Sequence, residues 1–130
     1  MSRADNREML ATSNCRAQSH GGSQSSSVNV VLPKTGREIL GIDPQTTLWI
    51  YAFADRIAIA DERRPELADR AIIDDRQGIY QEKSSLRLCI PFPIRQIFDI
   101  KPKDVLSIRM YETHLEYARV RDTLEHGDRA

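Results

Sequence analysis

The sequence lacks a net charge: 19 Lys and Arg face 19 Asp and Glu in 130 residues. So balanced a chain, with an isoelectric point near 6.8, has no basic coat to hold nucleic acid by bulk electrostatics, which leaves room only for a local patch. Cysteine is scarce as well. Cys15 lies in a polar N-terminal segment and Cys89 alternates with apolar Leu88 and Ile90. They form no disulfide framework, Cys89 reads as a packed thiol, and a reduced, cytoplasmic protein is expected. No apolar run reaches the roughly 18 residues of a membrane span, and the N-terminus carries no secretory signal. His20, His114 and His126 show no ligand spacing with either cysteine, so neither metal nor other cofactor is expected. "HGGSQ" (20–24) is glycine-rich but has no lysine and no helix behind it, unlike a phosphate loop. Asp74 and Asp75 are adjacent and project apart, which rules out a paired-carboxylate acid–base site. With no nucleophile–base constellation either, the chain reads as a non-enzyme.

What is present is a repeat. "LPKTGREILGIDP" (32–44) and "IPFPIRQIFDIKP" (90–102) superpose at a spacing of 58. Extended over 28–60 and 86–118, the alignment needs no gap. It matches Pro33/Pro91, Arg37/Arg95, Ile39/Ile97, Ile42/Ile100, Pro44/Pro102, Leu48/Leu106, Ile50/Ile108 and Ala60/Ala118, and apolar character persists between them.

Both copies follow one grammar. "VNVVL" and "LRLCI" alternate as half-buried strands do. Pro33 and Pro91 end those strands and open short helices, "KTGREIL" and "FPIRQIF", with Ile39 and Leu40, or Ile97 and Phe98, turned to the core. Gly41 suits a left-handed helix cap, whereas Asp99 takes that place in the second copy at some strain. Proline-bearing turns lead to "LWIYAF" and "LSIRMY", which return through tight turns as "IAIA" and "LEYA". Each unit is strand, short helix, hairpin, and is too small to bury a core alone. The expected fold class is mainly β with short helices: two tandem units interlocking into a β-barrel-like domain. Residues 1–27 are expected to be a disordered tail, 28–60 the first repeat, 61–77 a linker with a short helix from Pro65, 78–121 the second repeat and 122–130 a C-terminal tail. In the linker, Leu67, Ala68, Ala71 and Ile72 are expected on one helix face. "GIYQE" (78–82) reads as an extra strand turned by "KSS" into "LRLCI", and the first repeat looks eroded at that place.

Residues 86–120, and more weakly 28–60, resemble the AbrB/SpoVT/MazE swapped-hairpin DNA-binding family. The shared pattern is a strand, "IP" or "LP", an arginine four residues after the proline, "IF" or "IL", then I-x-P and a hairpin. The Asp-x-x-x-Arg signature of MraZ, a tandem member, is not at its expected place. The resemblance implies a sequence-specific, DNA-binding transcriptional regulator whose partner is double-stranded DNA, with self-association into a homo-oligomer available. Position by position it implies DNA contacts at Arg95 and Arg37, with Gln96 beside Arg95, and at Arg87 on the preceding strand. Asn29 stands at the place of Arg87 in the first repeat, and Glu38 at that of Gln96. Lys34 and Arg109 join the candidate DNA-binding set, Arg109 because it alternates with Ile108 and Met110 and so points away from the core.

Regional charge agrees with this weighting. Residues 84–121 hold seven bases (87, 95, 101, 103, 109, 119, 121) and four acids (99, 104, 112, 116), a difference of +3. Residues 28–60 hold three of each, and 61–83 five bases against seven acids. Trp49 and Tyr51 fall on the strand face opposite Leu48 and Ile50, as a second packing surface toward the other repeat or another chain. One alternative is an antitoxin of the same fold. It requires a longer segment after the hairpin than "RDTLEHGDRA" supplies, so a toxin partner is not expected. A second is an oligomerisation module that touches no DNA, in keeping with the neutral charge and Glu38.

Overall fold

The computed structural model describes residues 8–19 and 27–120, in eight strands and three short helices. In chain order these are β1 (Met9–Arg16), β2 (Asn29–Val31), α1 (Lys34–Leu40), β3 (Thr47–Ala52), β4 (Ile57–Ala60), α2 (Pro65–Ala68), β5 (Ile73–Glu82), β6 (Ser85–Cys89), α3 (Phe92–Ile97), β7 (Val105–Tyr111) and β8 (Leu115–Arg119). The C-terminal tail (122–130), "HGGSQ", His20 and His126 lie outside the described residues.

Strand, helix, strand, strand therefore occurs twice, at the places where the repeat was read. Pro33 and Pro91 sit just before the two helices in extended conformation, φ −66° and −62°. Each ends a strand, and each lacks the N–H that the next ladder position would demand. Gly41 closes α1 in the left-handed region, φ 69°. Asp99 does not copy it. In the second unit the helix stops one residue earlier, at an extended Phe98 (φ −107°). A residue with a Cβ thus avoids the left-handed cap rather than bearing its strain.

The strands form one antiparallel sheet in the order β1-β7-β8-β4-β3-β5-β6-β2. A single bridge, Gln18 to Asn29, links its two ends into a nearly closed barrel. Two pairings set matched strands of the two units against each other. In β2–β6, Val30 faces Leu88, and in β4–β8, Ala58 faces Glu116. Both are matched positions of the repeat, 58 apart, so a pseudo-twofold axis passes through both pairs.

The N-terminal segment corrects the expectation of a disordered tail. Residues 9–16 are a strand in register with β7, Ser13 opposite Ile108 and Cys15 opposite Leu106. On the other side of the axis β5 lies on β3, with Asp75 opposite Ile50. Since Ile50 and Ile108 are matched positions, Ser13 is the counterpart of Asp75, at a spacing of 62 rather than 58. Gln18 opposite Asn29 and Tyr80 opposite Arg87 give the same spacing. The first unit is not eroded at its start. Its opening strand is displaced by four residues, all in the connection to β2. Likewise 73–77 belong to β5 and not to a linker.

The core fills the barrel. Val30, Leu32, Leu48, Ile50, Ile57, Ile59, Leu88, Ile90, Ile94, Phe98, Leu106, Ile108, Leu115 and Tyr117 are among its buried members, drawn from both units. A second cluster lies outside the sheet. There α2 buries Leu67 over Tyr51, Phe53, Ala58 and Ala60, with Trp49, Ala68 and Ala71 packed against them. The Tyr51 hydroxyl accepts the Arg64 backbone N–H at 2.8 Å, and the Arg76 guanidinium lies 5.0 Å from the Trp49 ring centre. Trp49 and Tyr51 are therefore covered by this chain's own linker, and Tyr51 is fully buried. The second packing surface is thus filled from within the chain, with Trp49 left half-buried. Ile72 departs from the helix face assigned to it and is 55% exposed. The helix ends at Ala68, so the 3.6-residue period does not extend to residue 72.

Gly36 marks a close approach of α1 to the core. A Cβ there would lie 3.0 Å from both δ carbons of Leu115, which is fully buried. In a helix, Gly→Ala gains up to about 1 kcal/mol of propensity, but overpacking an enclosed site costs about 1–3 kcal/mol. Crowding is expected to win because the Leu115 methyl groups have nowhere to retreat. Gly36→Ala should lower the urea midpoint, and it should cost less in a Leu115→Val background. A higher midpoint for Gly36→Ala would show that Leu115 yields freely.

Candidate nucleic-acid interface

Arg87 lies on β6 with its side chain on the face opposite Leu86 and Leu88, as its alternation requires. It is not free there. Its Nη1 donates to Asn29 Oδ1 at 2.8 Å, and its Nε lies 3.5 Å from Glu82 Oε1, leaving the side chain 14% exposed. Asn29 is the repeat counterpart of Arg87, so the two matched side chains clasp one another across the pseudo-twofold axis. Two arginines there would have repelled, whereas Asn and Arg make a donor–acceptor pair.

A cleft of about 270 Å³ opens beside this pair, lined by Gln18, Glu82, Lys83, Ser84, Ser85 and Arg87. Gln18 follows the end of β1, and the rest come from the β5–β6 hairpin. The lining is rich in donors, with Glu82 the one carboxylate. Lys83 holds φ at 57°, in the left-handed region. Gln18 was not legible as a site residue, since it lay in the segment read as tail.

The remaining candidates sit on the helices and the outer sheet. Lys34 is exposed and Arg37 half-buried on α1, while Gln96 is exposed and Arg95 half-buried on α3. Arg37 and Arg95 thus occupy matched places in matched environments. Phe92 stands where the first unit has Lys34, and it is 65% exposed. Arg109 is exposed on β7, opposite Thr12 of β1 and Glu116 of β8.

Glu116 belongs to a further polar group on the axis. Its Oε2 lies 3.1 Å from His114 Nε2 and 3.6 Å from Arg56 Nε. His114 is fully buried, stacks on Tyr111 at 4.9 Å and meets Thr113 Oγ1 at 2.9 Å through Nδ1. Arg56 and His114 are matched residues of the two units, so one carboxylate serves both. Cys15 packs against the core, and burial pushes its thiol above the ordinary range, despite the opposing influence of the Val31 backbone and Arg87. Among the described residues no three His, Cys, Asp or Glu side chains are grouped as a metal site, and no helix is long and apolar enough to cross a membrane.

Comparisons with family models, with curated proteins and with solved structures find no match to this chain.

Proposed function

We propose that the chain is a DNA-binding regulator of the swapped-hairpin type, acting without catalysis or cofactor. One observation carries this reading. The strand–helix–hairpin unit implied by the AbrB-like motif occurs twice, in register, with the units paired about a pseudo-twofold axis. This is the arrangement a symmetric DNA reader builds from two chains, here supplied by one. It sets the arginines of α1 and α3 at equivalent places, with exposed Lys34 and Gln96 beside them. Arg87 then positions Asn29 and the cleft more than it contacts phosphate, because its donors are engaged within the protein.

The test is duplex binding by fluorescence anisotropy, with sequences selected from a random pool and salt titrated. Arg95→Ala and Gln96→Ala should each weaken binding. Arg95→Ala should flatten the salt dependence by about 0.9 in log–log slope, as one lost phosphate contact does. Arg37→Ala should have a smaller effect, since the neighbouring Glu38 repels phosphate. Arg109→Ala separates the outer sheet face from the helices. If no duplex is retained, the second reading takes over: a module that assembles copies of itself. The engagement of Arg87 by Asn29 and Glu82 favours that reading, because it removes one of the family's implied contacts.

A further inference from the structure

The pseudo-twofold axis relates two corners of the barrel that share a backbone and differ in charge. In the second unit, the loop between α3 and β7 is tied to the end of β1. The Lys103 N–H donates to the Ala17 carbonyl at 2.7 Å, and the Ala17 N–H to the Asp104 carbonyl at 2.9 Å. Arg16 Nη1 donates to the Lys103 carbonyl at 3.3 Å. Arg119, from the end of β8, donates to the Asp99 carbonyl and lies over the Phe98 ring at 5.1 Å. Four cations from three stretches of the chain (Arg16, Lys101 with Lys103, and Arg119) thus meet two carboxylates (Asp99, Asp104), a net of +2.

The turn geometry recurs in the first unit. Asp104 accepts the Lys101 N–H at 2.9 Å as Thr46 accepts that of Asp43 at 3.0 Å. The charges do not recur. The counterparts of the six residues are Gly78, Asp43, Gln45, Asp61, Gly41 and Thr46, a net of −2. The fold therefore does not require the cations.

Backbone conformation supplies a second, independent observation. Among the described residues the non-glycine positions with positive φ are both lysines, Lys83 at 57° and Lys103 at 78°. Glycine fits that region without strain. The two lysines flank the 16–18 segment. Lys103 is bound by Arg16, and Lys83 shares the cleft with Gln18. Both turns thus carry a cation at a position where glycine would fit without strain.

We propose that this corner, Arg16 with Lys101, Lys103 and Arg119, extended by Lys83, is a docking surface for the phosphate backbone of duplex DNA. It anchors the duplex on one side of the pseudo-twofold axis. The proposal rests on the nucleic-acid reading above and gives it a direction. The molecule is symmetric in backbone and polar in charge, so it takes an unsymmetric site.

The experiment measures anisotropy with a random-sequence DNA duplex across a salt series, for the wild-type chain and for Lys101→Glu/Lys103→Glu. Lys101 is 66% exposed and Lys103 is exposed, so the reversal leaves the core intact. Affinity should fall about tenfold or more and the salt slope by about 2, for two lost phosphate contacts. Lys103→Gly is the second variant. It should melt at or above the wild-type temperature, because the positive φ is relieved, and yet bind less tightly. Gln45→Lys, at the matched place in the acidic corner, should bind more tightly. Wild-type binding that the reversal leaves unchanged overturns the corner and leaves the DNA reading standing. Absence of duplex binding by the wild type at low salt overturns both. Sedimentation supplies the last arm. If the reversal abolishes self-association while duplex binding is unchanged, the corner docks a second copy and the proposal fails.

Discussion

A chain starting at Val28 is expected to be strongly destabilised, having lost a strand of the sheet and not merely a loose end. β1 supplies the partner of β7 over residues 9–16. Without it, β7 becomes an edge strand with a row of unpaired N–H and C=O groups. Its core side chains Leu106, Ile108 and Met110, now 2% exposed or less, lose a neighbour. The stabilisation comes mostly from the backbone ladder, because the inward residues of β1 are small: Ala11, Ser13 and Cys15, followed by the buried Ala17. At about 1 kcal/mol net per hydrogen bond, and with part of that offset by chain entropy, the loss is about 3 kcal/mol or more. The melting temperature should fall by roughly 10 °C or more. An unpaired edge also invites aggregation. Thermal melts and sedimentation of the truncated chain measure both effects. A truncated chain that melts within a few degrees of the full one would show β1 to be expendable. The complementary experiment adds residues 8–19 as a free peptide, which should bind the truncated chain and restore part of the lost stability.

Alkaline unfolding is the second large effect expected. Tyr117 is fully buried at the centre of the barrel and its hydroxyl donates to the Val31 carbonyl at 2.8 Å. Burial, with a smaller push from Cys15, holds its phenol well above the ordinary value of about 10. The unfolded chain releases that proton near pH 10 and the folded chain does not. The stabilisation is therefore fully present below about pH 10 and is lost as pH rises from there toward the folded value. The slope is about 1.4 kcal/mol per pH unit for one such group. Tyr51 and Tyr80 are also raised, burial being the main cause in each, and they add to the slope. Urea midpoints taken from pH 8 to pH 11 should fall steeply above about pH 10. Tyr117→Phe should cost about 1 kcal/mol at neutral pH for the lost hydrogen bond, and its midpoint should then decline less steeply. A parallel decline in the two proteins would mean that Tyr117 is not the group responsible.

Sequence alone determined the unit and its duplication. Alternation of apolar residues in "VNVVL" and "LRLCI", the two prolines and the hairpin periods are local signals, and the elements appear where those signals lie. It also determined which strand faces turn inward, as Leu48, Ile50, Leu106 and Ile108 show. The pairing of strands was beyond it. "MLATSNCR" has small and polar side chains and no period strong enough to read, because its place depends on the edge that β7 offers. No residue of β1 matches its counterpart in β5, so the 62-residue spacing is invisible until the register is known. The linker presented the same difficulty in reverse. Trp49 and Tyr51 form an apolar face that sequence can identify but cannot cover, and only the fold brought Leu67 and Ala71 over it. The candidate site divides along the same line. Arg37, Arg95, Gln96 and Lys34 were legible because they are fixed by distance from a proline. The engagement of Arg87 by Asn29, and the corner that gathers Arg16, Lys101, Lys103 and Arg119, were not. Charges distant in sequence meet only where strand register brings their backbones together, and register is a property of the closed sheet.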